Sequence, residues 1–343
     1  MTPKLTLNKR IELLALLGKH LRDSSSPGLE ELIIRAKVKN EWFQPVFIKK
    51  ALESWSLELT QENLTLWMDA YKGQFDENKP AKTVGLILAG NIPLVGWHDI
   101  LSVFISGNKS LIKVSSKDEE LIRYCVNYLI DLEPEVANWI NFTERLADFQ
   151  AVIATGSDNS SRYFDSYFGK YPNIIRKSRQ SVAVIKGNED QDALNALGSD
   201  VFTYFGLGCR NVSHIYIPTG YKPETLLDAF EDYSLLMDNF KYQNNYDYTK
   251  TIFLLNRIPH LDTGYMIFAE NESLTPRLAS INYSFYDDVE VLKTKLAGFK
   301  DQIQCISSNF LDVKHSVKLG DTQKPRLWDY ADGVDTMKFL LGL

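Results

Sequence analysis

Apolar positions in the first 80 residues recur at the spacing of amphipathic helices. The pattern predicts a helix over Leu5–Leu21, a break at the Ser-Ser-Ser-Pro-Gly cluster of residues 24–28, and a second helix over Phe43–Trp55. Thr60 is a candidate N-cap for a third helix. We expect residues 1–80 to form a helical segment that packs on the lobe after it.

From Thr83 onward, short apolar runs rich in β-branched residues alternate with helical periods. The predicted strands are Thr83–Ala89, Ser110–Val114, Gln150–Ala154 and Ser181–Ile185, with helices over Glu119–Leu132 and Ser160–Phe168. This alternation predicts a parallel sheet with helical crossovers, whose ligands bind at the carboxyl ends of the strands. We expect a dinucleotide-binding domain over residues 81–190.

The alternation restarts after Asp190 and predicts a second α/β domain over residues 191–310. Its predicted helices are Ala193–Phe205, Pro223–Phe240 and Val289–Leu296, and its predicted strands are His214–Ile217, Thr251–Leu255, Ser280–Phe285 and Gln302–Ile306. Residues 311–343 form a mixed C-terminal return segment that ends in a short helix over Asp335–Leu341.

Composition limits the class of protein. A chain of 343 residues exceeds the size at which one core stops growing, so two lobes are expected. The net charge of −6 argues against a nucleic-acid-binding protein, and no apolar run reaches the ~20 residues of a membrane helix. Three dispersed cysteines form no metal or disulfide pattern, which favours a reducing cytoplasm.

The first candidate site is the run Gly206-Leu-Gly-Cys209-Arg-Asn, between a predicted helix and a predicted strand. Glycines let the backbone approach a substrate closely, and a thiolate attacks thioesters readily. A buried structural cysteine is the alternative, and on this segment alone it is favoured.

Three further candidates each follow a predicted strand of the first domain. Asn91 could donate to an oxyanion, Lys113 with Ser115 and Ser116 suits ribose and phosphate groups, and Gly156-Ser157 could face a pyrophosphate. Each has an ordinary alternative, a turn residue for Asn91 and helix N-caps for the serines. The chain has no G-x-G-x-x-G fingerprint.

The order of these elements resembles the aldehyde dehydrogenase superfamily. Within it, the segments Gly90–Asp118 and Phe205–Pro218 look like the acyl-CoA reductase branch, which includes the LuxC-type fatty-acid reductases, and the early Asn40–Trp55 stretch is also similar. The resemblance implies an α/β fold of two lobes, each with a mainly parallel sheet flanked by helices.

The resemblance also implies roles for individual residues. It places Cys209 at the catalytic nucleophile and Asn91 at the oxyanion hole, Lys113 at the ribose of the cofactor's adenosine half, and Gly156–Ser157 at the pyrophosphate turn. The run 272–276 resembles the Glu-x-Phe-Gly-Pro element that holds the nicotinamide ribose through Glu272, although leucine and threonine replace its aromatic and glycine.

Two departures from the superfamily pattern refine the expected chemistry. Hydrolytic relatives carry a glutamate general base where this chain has Arg176-Lys-Ser-Arg-Gln180, so water is poorly activated and thioester chemistry is favoured. The cations of this run could face phosphates or form a solvated turn. NAD-selective relatives carry a glutamate shortly after the lysine, whereas Ser115, Ser116 and Lys117 would accept a 2′-phosphate, which favours NADPH over NADH.

We therefore expect a cysteine-bound acyl-enzyme that is reduced to an aldehyde. An oxidative aldehyde dehydrogenase and a non-catalytic acyl-binding subunit are the alternatives. The expected partners are acyl-CoA or an acyl-carrier thioester, an acyl-protein synthetase and a second copy of the chain in a homo-oligomer. We expect no metal, no nucleic acid and no membrane span.

Overall fold

The computed structural model describes residues 5–23, 28–77 and 79–343, and the chain divides into two compact units. Unit 1 comprises Met1–Ser178 and Arg326–Leu343, and unit 2 comprises Arg179–Pro325. The division falls between Ser178 and Arg179, so residues 179–190 belong to unit 2 and not to the first domain as expected from the sequence. The end of the chain returns to unit 1.

Unit 1 begins with helices α1 (Leu7–Arg22), α2 (Leu29–Lys39), α3 (Pro45–Glu58) and α4 (Gln61–Asp69). The side chain of Thr60 accepts a hydrogen bond from the N–H of Asn63, which confirms it as the N-cap of α4. The sequence prediction had missed α2, whose buried residues Leu29, Leu32, Ile33 and Ala36 nevertheless have helical spacing. These helices share one hydrophobic core with the first sheet.

Sheet A consists of β1 (Thr83–Ile87), β2 (Lys109–Lys113), β3 (Ile140–Phe142), β4 (Ala151–Thr155) and β5 (Asn173–Arg176). All four pairings are parallel, in the order β3-β2-β1-β4-β5. The crossovers carry α5 (Trp97–Ile105), α6 (Glu119–Leu132) and α7 (Asp158–Phe168). Strand β4 is apolar along most of its length because helices cover both faces of such a sheet.

Sheet B lies in unit 2 and has the order β12-β11-β6-β7-β10-β9-β8. Its strands are β6 (Gln180–Val184), β7 (Val212–Pro218), β8 (Leu261–Asp262), β9 (Ile267–Glu270), β10 (Ser280–Tyr286), β11 (Ile303–Ser307) and β12 (Ser316–Val317). Only the β8–β9 pairing is antiparallel among the described strands of this sheet. The helices are α8 (Gln191–Phe202), α9 (Glu224–Ala229), α10 (Phe240–Leu255) and α11 (Val289–Gly298), and α12 (Thr336–Leu341) closes the chain in unit 1.

Two sequence predictions about strands are wrong. Residues 251–255 form the last turn of helix α10. Along this helix, Tyr242, Tyr246, Thr249 and Phe253 are buried at helical spacing. Tertiary packing therefore overrides the local strand preference of Thr-Ile-Phe. The predicted strand 181–185 exists as β6, but it pairs with β7 and β11 in sheet B and not with the strands of sheet A.

The architecture of two units, each with a mainly parallel sheet flanked by helices and with helices at the N-terminal end, confirms the predicted fold class. Within the described part of the chain, no helix is both long and apolar enough to cross a membrane.

Candidate functional site

In unit 1, the predicted oxyanion residue Asn91 and predicted cofactor residues lie at the carboxyl ends of three adjacent strands. Asn91 follows β1, Lys113 ends β2, and Gly156-Ser157 follows β4. The register pairs Ile87 of β1 with Lys113 of β2, so these ends meet at one edge of sheet A. The strand order reverses at β1, which makes this edge the topological switch point where ligands bind in open α/β sheets.

Two glycines at this edge allow close packing. A Cβ on Gly90 would lie 2.4 Å from the Oγ of Ser115, and one on Gly156 would lie 2.8 Å from the ring of Phe164. The hydroxyl of Ser157 caps α7 by accepting a hydrogen bond from the N–H of Ser160. Ser157 is thus the N-cap of α7, and the first N–H groups of this 11-residue helix lie next to it.

No exposed carboxylate lies between Lys113 and Asp118. Lys113, Ser116 and Lys117 are exposed and Ser115 is half-buried, whereas Asp118 is only 2% exposed. Burial raises the pKa of the Asp118 carboxyl well above its usual range. Helix α6 starts one residue later, at Glu119, so Asp118 and neither Ser115 nor Ser116 occupies the N-cap position, although its side chain makes no capping hydrogen bond.

The segment that replaces the glutamate of hydrolytic relatives contains a buried ion pair. Arg176, at the end of β5, is 6% exposed; it donates to the Oδ2 of Asp99 on α5 at 2.5 Å and to the Oγ1 of Thr336 at 3.1 Å. Arg179 donates to the carbonyl oxygens of Lys300 and Ile303. Arg176 therefore neither faces phosphates nor belongs to a solvated turn, because a buried carboxylate holds it.

In unit 2, Cys209 is an exposed thiol in the turn that leads into β7. Tyr204 and Phe205 have φ angles of 57° and 59°, and Gly206 has 73°, so three consecutive residues adopt the left-handed conformation. Non-glycine residues hold this conformation only where the surroundings impose it. The exposure contradicts the alternative of a buried structural cysteine.

The other two cysteines are buried. Burial raises the pKa of the Cys305 thiol to about 11 and raises that of the Cys125 thiol well above its usual value. Neither is a candidate nucleophile, since the thiolate is the reactive form.

Asn211 holds the Cys209 turn together, a role that the sequence pattern does not predict. Its Oδ1 accepts a hydrogen bond from the N–H of Gly208 at 2.8 Å. Its Nδ2 donates to the carbonyl oxygens of Asp200, Val201 and Thr203, at 3.0, 3.2 and 2.8 Å. The side chain is 2% exposed. Its position two residues after Cys209 was the only signal in the sequence.

Ser181, the second residue of β6, supports the same turn. Its hydroxyl donates to the carbonyl oxygen of Cys209 at 2.9 Å and accepts a hydrogen bond from the N–H of Cys305 at 3.2 Å. The backbone of Cys209 is therefore tied to strands β6 and β11 of sheet B.

Helix α8, which leads into the turn, is anchored through Asp200. This carboxylate accepts hydrogen bonds from the hydroxyls of Ser307 and Thr322 and from the N–H groups of Gly320 and Thr322. Burial nevertheless raises its pKa. The helix end before the turn is thus fixed to the loop after β12.

The run 272–276 is attached to the start of β7. The hydroxyl of Ser213 donates to the carbonyl oxygen of Leu274 at 2.7 Å. The side-chain amide of Asn282 donates to the carbonyl oxygen of Ser273 at 2.8 Å. Glu272 is exposed and forms an ion pair with Lys295 of α11. Its predicted cofactor role would require it to exchange this partner.

Two histidines, His98 and His214, lie near these segments in the sequence, and both have hydrogen-bonded partners. His214 is fully buried, with its Nε2 2.8 Å from the hydroxyl of Ser284, and burial lowers its pKa to about 4. The Nε2 of His98 lies 2.8 Å from the carbonyl oxygen of Leu327. Both therefore act as hydrogen-bonded packing residues.

The two mainly parallel sheets with their flanking helices form an aldehyde-dehydrogenase-like fold. Solved structures show the same fold at low identity. An aldehyde dehydrogenase from Bacillus cereus, in an NAD+ complex, is 14% identical with a TM-score of 0.69 over 99% of this chain and 84% of its own. Aldehyde dehydrogenase 21 from Physcomitrella patens, in complex with succinate, is 11% identical with a TM-score of 0.68 over 98% of this chain and 84% of its own.

The family is narrower than the fold. The model of the acyl-CoA reductase (LuxC) family matches residues 17–225, and the chain belongs to this family. The chain is 24% identical over 200 residues to a long-chain acyl-protein thioester reductase of Aliivibrio fischeri, covering 53% of this chain and 41% of that protein. It is 25% identical over 146 residues to long-chain acyl-protein thioester reductase 2 of Photobacterium leiognathi, covering 38% and 30%. The matches thus span less than half of these relatives.

Proposed function

We propose that this protein reduces a fatty acyl thioester to the aldehyde through an acyl group carried on Cys209. The observation that carries the proposal is the contrast among the cysteines. Cys209 is exposed in a turn that Asn211 and Ser181 hold, whereas Cys125 and Cys305 are buried with raised pKa values. The names of the relatives support an acyl thioester as the substrate class.

In the proposed reaction, the Cys209 thiolate attacks the thioester carbonyl and the thiol of CoA or of a carrier protein leaves. The backbone amide of Cys209 and the side chain of Asn91, a role that the resemblance implies, stabilise the oxyanion. Reduction of the cysteine thioester gives a thiohemiacetal, which releases the aldehyde and restores the thiol.

The edge of sheet A fits a nicotinamide dinucleotide. Lys113, Ser115 and Ser116 would hold the adenosine ribose and a 2′-phosphate, and Gly156–Ser157 the pyrophosphate at the start of α7. When bound, this cofactor supplies the hydride. Since Asp118 is buried and residues 114–117 include no carboxylate, the segment after Lys113 would not repel a 2′-phosphate, which favours NADPH, with NADH as the alternative. Glu272 is proposed to hold the nicotinamide ribose.

The ion pair of Arg176 with Asp99 supports reduction over hydrolysis. A buried arginine cannot act as the general base that releases an acid from an acyl-cysteine. The acyl donor is proposed to be an acyl-CoA or an acyl protein made by a synthetase partner. We also propose that the protein forms a homo-oligomer and is located in the cytoplasm.

Intact-protein mass spectrometry with an acyl-CoA, run beside NADPH and NADH oxidation, tests the reaction. We expect an acyl adduct on the wild type and on Cys125→Ala, and none on Cys209→Ala. An adduct without NADPH or NADH consumption would identify an acyl-binding subunit. No adduct at all would refute the nucleophile, and efficient conversion of aldehyde to free acid would favour an oxidative dehydrogenase.

Cofactor preference is tested by Ser116→Glu. A carboxylate about 4 Å from a 2′-phosphate should lower kcat/KM for NADPH roughly ten-fold. NADH, measured with the same variant, is the internal control and should change little. Equal losses with both cofactors would contradict the assignment of Ser116 to the 2′-phosphate.

A further inference from the structure

The loop that carries Asn91 contains a strained backbone conformation. It joins β1 to α5 and spans residues 88–96. In this loop Leu94 is 1% exposed and has a φ angle of 57°, and its carbonyl oxygen accepts the N–H of Trp97 at 3.0 Å. A buried leucine keeps this left-handed conformation only where its surroundings impose it. The position of Asn91 therefore depends on what lies against the loop.

The segment 115–118, after β2, contacts the loop before and after Asn91 along the chain. A Cβ on Gly90 would lie 2.4 Å from a hydroxyl oxygen of this segment, so the two backbones pack closely there. The carboxyl of Asp118 lies beside the backbone N–H of Leu94. These two contacts bracket Asn91, so the segment is placed to fix the part of the loop that carries it.

The segment is itself held by the helices at the start of the chain. Asn40, which is 6% exposed between α2 and α3, donates through its Nδ2 to the carbonyl oxygen of Lys117 at 3.3 Å. The Oδ1 of Asn40 accepts a hydrogen bond from the N–H of Trp42 at 3.2 Å. The N–H of Asp118 donates to the carbonyl oxygen of Ser115 at 3.0 Å. Asp118 therefore reaches the loop from a fixed backbone.

The usual reasons for an aspartate at this position do not apply to Asp118. It stands at the N-cap of α6, but its side chain makes no capping hydrogen bond. Within the described part of the chain, neither carboxyl oxygen has a partner at ordinary hydrogen-bond geometry, so the contact with Leu94 is looser than a full hydrogen bond. A buried carboxyl of this kind costs stability that a leucine of the same shape would not. A role at the loop accounts for the aspartate.

We propose that Asp118 is a positioning residue, which holds the left-handed turn at Leu94 and thereby keeps the side-chain amide of Asn91 in place for the oxyanion. The inference rests on the proposed function, because the oxyanion forms during acylation of Cys209. Asp118 itself touches neither the acyl group nor the thiol. Its neutral carboxyl offers a carbonyl oxygen to the loop, which the amide of asparagine can reproduce and a leucine cannot.

The test compares two reactions of Cys209 that differ in their need for an oxyanion hole. Acylation by dodecanoyl-CoA passes through a tetrahedral oxyanion, whereas alkylation by iodoacetamide is a direct displacement that forms none. Intact-protein mass spectrometry follows both rates in the absence of any cofactor. Asn91→Ala should slow acylation about 100-fold or more and leave alkylation unchanged.

Asp118→Leu should slow acylation about ten-fold or more and also leave alkylation unchanged. Asp118→Asn should recover most of the acylation rate, because its amide oxygen replaces that of the neutral carboxyl. Since Asp118 acts through Asn91, the double variant Asn91→Ala/Asp118→Leu should be no slower than Asn91→Ala alone. Asp131→Leu, a change at an exposed position near the other end of α6, is the control and should alter neither rate.

Wild-type acylation in Asp118→Leu would overturn the proposal, as would losses that multiply in the double variant or an alkylation rate that changes in step with acylation. If Asp118→Leu does not fold, Asp118→Ala also removes the carboxyl and carries the same expectation. The proposed function fails separately, if the wild type forms no adduct or if Asn91→Ala acylates as fast as the wild type. A wild-type adduct that depends on Asn91 but not on Asp118 would refute the positioning role and leave the reaction intact.

Discussion

Replacing Asn211 by alanine removes the side chain that closes the Cys209 turn. In the folded protein, its amide oxygen accepts one N–H and its amide nitrogen donates to three carbonyl oxygens. The turn also contains the left-handed residues Tyr204 and Phe205, which cost of order 1 kcal/mol or more each to hold. Without Asn211, we expect the turn to relax and the Cys209 backbone to move.

The cost follows from counting hydrogen bonds. Two amide protons serve three carbonyl oxygens, so the variant loses about three full hydrogen bonds at about 1 kcal/mol each, plus the cost of buried groups left unpaired. We expect a loss of about 3–4 kcal/mol in the free energy of unfolding. For a unit of this size, that is a fall in Tm of roughly 6–16 °C. Asn211→Asp should lose at least as much, because its carboxylate would face three carbonyl oxygens.

Urea unfolding measures the loss, and the rate of Cys209 alkylation by iodoacetamide, followed against pH, measures the placement of the thiol. Asn256 is a matched control, since it is exposed and its side-chain amide donates to the carbonyl oxygen of Ile252 in the same unit. Asn256→Ala should lose less than about 0.5 kcal/mol. A loss below about 1 kcal/mol in Asn211→Ala, together with an unchanged alkylation profile, would refute the role of Asn211.

Three further predictions concern buried ionisable residues. Arg176→Met should lower the free energy of unfolding in urea by about 3–5 kcal/mol, because it leaves Asp99 buried without its cation. The double variant Arg176→Met/Asp99→Leu should recover most of this loss. Losses that add up in the double variant would contradict the prediction. The raised pKa of Asp118 means that the folded state keeps a proton that the unfolded state releases above pH ~4, so wild-type stability falls as pH rises. The stability of Asp118→Asn relative to the wild type should therefore increase between pH 5 and 8. Curves of stability against pH that run parallel for the two proteins would exclude this. His214, with its pKa lowered to about 4, stays neutral in the fold while the unfolded state binds a proton below pH ~6.5. The wild type should thus lose roughly 3 kcal/mol between pH 6.5 and 4, a loss that is absent in His214→Gln; equal acid sensitivity would refute it.

Much of the fold could be predicted from the sequence because local patterns determine it. Alternation of apolar runs and helical periods located β1, β2, β4 and most of the helices. Local order could not show which sheet a strand joins. Strand β6 follows β5 closely along the chain, but it pairs with β7 and β11 in the other unit. A strand that is buried on both faces has the same apolar pattern in either sheet.

The candidate site divides in the same way. The sequence by itself determined that Asn91, Lys113 and Gly156 lie at strand ends and Cys209 in a glycine turn, because glycine turns and strand ends are local features. Only the tertiary structure decided that Cys209 is the exposed cysteine, that Arg176 is neutralised by Asp99, and that Asn211 closes the turn. Burial and ion pairing depend on contacts between distant segments, which no local pattern records.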